Sequence, residues 1–82
     1  MNRNHIRIAD TMYKAQESLK SLFGREYDNK ILKYKAIIKG MAKTEKCKIL
    51  EATMKLIEKY KENGFIGMAF LAAAVEILES KK

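Results

Sequence analysis

Eighty-two residues carry 17 Lys and Arg against 10 Asp and Glu, a net charge of +7, with 48% hydrophobic and 33% charged side chains. This composition describes a single globular domain, residues 1–82, and excludes a disordered chain; one cysteine excludes an internal disulfide and a Cys-rich metal site. A chain this short buries only about 60% of the surface its unfolded form exposes, so it must be well packed or oligomeric.

The chain has no proline and four glycines, so little interrupts a helix. A first helix is expected over about 4–23, with Ile8, Met12, Ala15, Leu19 and Leu22 on one face and Asp10–Lys14 paired on the other. Gly24 suits the left-handed residue that closes it. A second helix is expected from Asp28, as N-cap, to between Gly40 and Lys43, with Ile31, Tyr34, Ile38 and Met41 as its apolar stripe. The third, about 44–63, carries Ile49, Leu50, Thr53, Leu56, Ile57 and Tyr60 inward. Its outer Glu51, Lys55, Glu58, Lys59 and Glu62 balance one another. Asn63-Gly64 reads as its stop. Between Met41 and Ile49 the apolar stripe rotates by about 90°, which predicts a break or kink within Gly40 to Thr44.

The fourth helix, about 65–80, is apolar on most of its circumference. It must be covered on most of it, either as the central helix or against a second copy of the chain. Met68, Leu71, Val75 and Leu78 recur at heptad spacing and are the candidate homo-oligomer interface. Glu76 reads as the exposed edge of this helix, beside a shallow strip of Ala69, Ala72 and Ala73. The expected fold is therefore all-α: a bundle of three to four helices built on an antiparallel hairpin of the third and fourth, and oligomeric.

Charge is the one compositional signal of function. Residues 30–48 hold seven lysines and a single acid, Glu45. At ~100° per residue, Lys35, Lys39 and Lys43 fall together away from the apolar stripe, rising ~6 Å per step. Lys33, Lys46 and Lys48 extend the field. The pattern suits a polyanion whose phosphates exchange counterions for ammonium groups. Lysine also suits any solvated surface, and arginine is the usual reader of base edges and phosphates. Tyr34, between Lys33 and Lys35, lies on the apolar stripe and reads as core with an exposed hydroxyl rather than as a stacking platform. A helix-turn-helix, with Thr44, Glu45, Lys46 and Lys48 opening its second helix, is a weaker reading of the same residues.

No nucleophile motif, glycine-rich phosphate loop or metal-ligand cluster is present in the sequence, so no catalytic residue, cofactor or metal is expected. Cys47 reads as an inert buried thiol and His5 as a surface or capping residue. No segment approaches the ~20 apolar residues of a membrane span, and the first ten residues lack a signal-peptide core, which predicts a cytoplasmic protein. The expected function is a small non-enzymatic binder of nucleic acid or a nucleoprotein complex. The alternative is a protein-binding adaptor or inhibitor, of the kind phages and mobile elements encode, acting through the apolar C-terminal helix or the basic face.

Overall fold

The computed structural model describes residues 3–80, with side chains from residue 10 onward. Within them the chain is all-α: α1 (Arg3–Phe23), a short 3-10 turn (Gly24–Glu26), α2 (Tyr27–Glu45), α3 (Ile49–Lys59) and α4 (Gly64–Ser80). His5 and Ile8 lie outside the described side chains.

Among the described side chains of α1 the buried ones are Met12, Ala15, Gln16 and Leu19, spaced three, one and three apart along one side of the helix. Leu22, expected on that stripe, is 65% exposed. Phe23, one position on, packs against the core instead. The α1 seam drifts towards Gln16 and Phe23, and the chain turns away before anything covers Leu22. Gly24 makes that turn with φ +55, the left-handed conformation a side chain disfavours.

Asp28 does not cap α2. The 3-10 turn feeds helical backbone straight into Tyr27, with Glu26 at φ −80, ψ −7 and no side-chain cap. Asp28 lies in the first turn instead, where a carboxylate still meets the positive end of the helix dipole. Ile31 and Ile38 are buried, and Tyr34 and Met41 are half-buried against the same cluster, as the periodicity implies.

The break between α2 and α3 falls at 46–48, later than the rotation of the stripe suggests. Helix α2 runs straight through Gly40, where an added Cβ would meet nothing within 4 Å. It ends at Lys46, which is left-handed at φ 54, ψ 46. The Cys47 N–H returns to the Ala42 carbonyl at 3.0 Å, and Ala42 and Cys47 both pack against the core. A back-turned amide with an apolar contact beneath it is a Schellman closure. Thr44 and Glu45 therefore finish α2 rather than opening α3, which removes the helix-turn-helix assignment of those residues.

Helix α3 is shorter than expected, and buries Ala52, Thr53 and Leu56. Thr53 is satisfied by donating its hydroxyl to the Ile49 carbonyl at 2.8 Å. Asn63 is a start signal rather than a stop. Its Oδ1 accepts the N–H groups of Phe65 at 3.1 Å and Ile66 at 3.2 Å, capping α4.

Helix α4 packs against α1, α2 and α3, most extensively against α1. Ala69, Phe70, Ala72, Ala73, Ala74, Val75 and Ile77 are all buried. The alanine strip is thus enclosed in the core, not a shallow edge. Small side chains let a neighbouring helix axis come close rather than leaving a gap for water.

Two substitutions test the caps. Lys46→Gly relieves a left-handed lysine and is expected to stabilise by about 1 kcal/mol, raising the thermal midpoint by roughly 4–8 °C. Asn63→Ala leaves two amides of α4 uncapped and should destabilise by about 1 kcal/mol in urea denaturation.

Candidate polyanion-binding surface

The six lysines singled out by charge do not share one side of α2. Lys35, Lys39 and Lys43 advance by about 40° per step along one flank. Lys35, nearest the buried seam, is half-buried, whereas Lys39 and Lys43 are exposed. Lys33 lies about 160° around the helix from Lys35, on the other flank, where Lys30 accompanies it. Lys46 and Lys48 occupy the α2–α3 connection, both exposed.

These charges are not neutralised locally. Glu45, the one acid of the segment, reaches across to Lys55 of α3 at 3.3 Å. The remaining ion pairs among the described residues, Lys14–Asp10 at 3.2 Å and Lys61–Glu58 at 3.4 Å, lie elsewhere. Among the described residues, then, none of Lys33, Lys35, Lys39, Lys43, Lys46 and Lys48 has a carboxylate oxygen within 4 Å. Exposed pairs contribute at most about 1 kcal/mol each, so what matters is where the uncancelled field remains. Lys43, Lys46 and Lys48 follow one another into the α2–α3 corner, all exposed. Lys48 begins α3 without a side-chain cap, and the amide end of that helix adds positive partial charge that Glu51 in its first turn partly offsets.

The outer side of α2 is not uniformly polar. Leu32 is 56% exposed and Ile37 38%. Leu32, Ala36 and Gly40, four residues apart, form an apolar strip running between the two lysine flanks.

A second feature has no counterpart in the sequence reading. Phe23, Asn29, Lys30, Lys33, Tyr34 and Phe65 line a recess of ≈ 410 Å³. Phe23 and Phe65 meet edge to face with centroids 5.9 Å apart, and Tyr34 stands at 90° to buried Phe70 at 5.3 Å. The Lys30 ammonium lies 5.9 Å from the Phe23 centroid and that of Lys33 lies 6.0 Å from Tyr34. Exposed cation–π contacts of this kind contribute about 0.5–1 kcal/mol, so an arriving anion can draw either lysine away. Lys30 and Tyr34 are four apart and share a face, which the sequence shows. The meeting of Phe23 with Phe65, far apart in the chain, it does not.

Glu76 corrects another expectation. It is half-buried, and its Oε2 accepts from Gln16 Nε2 at 2.6 Å and from the Tyr27 hydroxyl at 2.9 Å. Three helices thus meet on one carboxylate oxygen. Tyr27 holds its proton well above the ordinary phenol range: burial opposes the phenolate, and the Glu76 carboxylate opposes it further. Lys20 caps the ring at 5.6 Å. All the partners are satisfied, and the cluster is an interhelical pin.

The proposed oligomer stripe is partly consumed by the chain itself. Val75 is 3% exposed, because neighbouring helices of the same chain already cover it, so it cannot meet a second copy. Met68 and Leu71 are half-buried against the core, and Leu78 is 40% exposed. Cys47 is half-buried. Among the described residues no group of three His, Cys, Asp or Glu could hold a metal ion, and no helix is long and apolar enough to cross a membrane.

Comparison with family models, curated proteins and solved structures finds no match for this chain.

The pin makes a pH prediction. A group whose pKa is raised by folding stabilises the fold below its unfolded value, about 10 for tyrosine, and loses that contribution as pH climbs further. Tyr27→Phe should destabilise by about 1–3 kcal/mol near neutral pH. The gap between parent and variant in urea denaturation should narrow progressively above pH of about 10.

Proposed function

We propose that this protein is a small non-enzymatic binder of nucleic acid or of a nucleoprotein complex, held through Lys39, Lys43, Lys46 and Lys48, with Lys35 at the margin. One observation carries the reading: the only acid in the lysine segment is paired with Lys55, leaving Lys39, Lys43, Lys46 and Lys48 without an ion-pair partner among the described residues. Affinity comes from phosphates, with little sequence reading, since compact ammonium groups lack the planar fork that favours base edges.

A second reading rests on the exposed Leu32 and Ile37, which contribute nothing to phosphate binding. An acidic protein surface with an apolar centre would use both the strip and the flanking lysines, as an adaptor or inhibitor does. Helix α4 suits that role less, because most of it is occupied by its own core. Met68, Leu71 and Leu78 are what it offers a second copy of the chain, and solution mass across a concentration series tests that association.

The decisive variant is Lys39→Glu, Lys43→Glu and Lys48→Glu together. All three positions are exposed, so helicity and melting should persist while duplex and single-stranded binding are lost. The corresponding triple glutamine variant should flatten the slope of log affinity against log salt by about 2–3. Unchanged binding by the glutamate variant sinks the phosphate reading. Capture of an acidic protein, abolished by Leu32→Asp, supports the adaptor instead.

A further inference from the structure

Resting on the nucleic-acid reading, we infer that the recess at Phe23, Tyr34 and Phe65 seats one nucleotide, its base against the rings and its phosphate beside Lys30 and Lys33, and that the nucleotide belongs to a single strand.

The recess has the composition this ligand requires. Perpendicular Phe23 and Phe65 rings make a corner of two apolar planes, and Tyr34, in edge-to-face contact with buried Phe70, adds a third surface. Aromatic rings beside a basic groove are how single strands are held without reading sequence. Asn29 carries both the donor and the acceptor that a base edge presents in complement. Among the described residues, Lys30 and Lys33 have no carboxylate within 4 Å. The recess also opens at the start of α4, whose first turn holds Phe65 and no acidic residue, so the helix dipole adds to the attraction for an anion. Its volume, ≈ 410 Å³, falls in the lower range of small-ligand sites.

The arrangement of charge points the same way. Lys30 and Lys33 sit on one flank of α2, and Lys39 and Lys43 on the other. A duplex, stiff over roughly 150 base pairs, lies along one flank and misses the second. A single strand bends around a helix about 10–12 Å across and meets both. Bases freed from pairing are then available to the rings.

Phe65→Ala and Phe65→Trp are measured against a short oligothymidylate, the same length of abasic sugar-phosphate, a matched duplex, and adenosine monophosphate. Phe65 is 42% exposed, so both variants are expected to fold, with circular dichroism melts as the check. The parent should bind oligothymidylate more tightly than the abasic strand. Phe65→Ala should weaken oligothymidylate by roughly tenfold and leave the abasic strand and the duplex unchanged. Phe65→Trp should restore binding, its indole fluorescence quenched by bases and not by abasic sugar-phosphate. Equal affinity for abasic and base-bearing strands, with no effect of Phe65→Ala, overturns the base seat while the polyanion reading stands. Failure of every strand to bind overturns that reading. In that case quenching of the Phe65→Trp variant by adenosine monophosphate assigns the recess to a free nucleotide, and no quenching removes the seat altogether.

Discussion

Helix α4 is buried along most of its middle, and the remaining helices are arranged to give it one neighbour after another. Seven of its residues are buried, four of them alanines of the run 69–74. Alanine loses no rotamer freedom on burial and allows close approach of helix axes, so the seam is enclosed at low entropic cost. The larger side chains that complete the core, Leu19, Ile38, Phe70 and Ile77 among them, then fill the spaces between helices. One carboxylate reaches into this environment, half-buried beside the buried polar Gln16. Glu76 is tolerated because Gln16 and Tyr27 bring donors to it. The pin also specifies register, since α1 and α2 must both be correctly placed for the two bonds to form.

Enclosing α4 sends the lysines outward. With α2 pressed against the core along Ile31, Tyr34 and Ile38, its remaining circumference is left to water and carries the basic residues on two flanks. The same packing brings the end of α1 and the start of α4 together, placing Phe23 against Phe65 beside Lys30 and Lys33. Field and recess are therefore joint consequences of how one apolar helix is covered. The lysines of the segment lack an ion-pair partner because its single acid, Glu45, pairs with Lys55 of α3.

Helices, their order and most of their inward faces are legible in the chain, because 3.6-residue periodicity is a local property. The boundaries are less so. Gly40 and Asn63-Gly64 resemble stop signals, yet α2 continues through Gly40 and Asn63 begins α4. A glycine ends a helix only where the backbone turns left-handed, and here a lysine adopts that conformation because Ala42 and Cys47 anchor the turn beneath it. The heptad stripe of α4 is visible in the sequence as apolar. Which chain covers it is not, since Val75 is indistinguishable in sequence from a residue facing a second subunit.

By itself the sequence determined an all-helical chain, one continuous apolar helix that demands cover, and a lysine segment almost free of acids. These depend on residue type and spacing within a few turns. Tertiary structure decided which helices cover α4, that Glu76 is pinned rather than wet, that Lys33 parts company with Lys39, and that two phenylalanines and a tyrosine meet beside two lysines. Each of these joins residues distant in the chain, and their meeting is set by how volumes fit around the alanine seam, which no local pattern encodes.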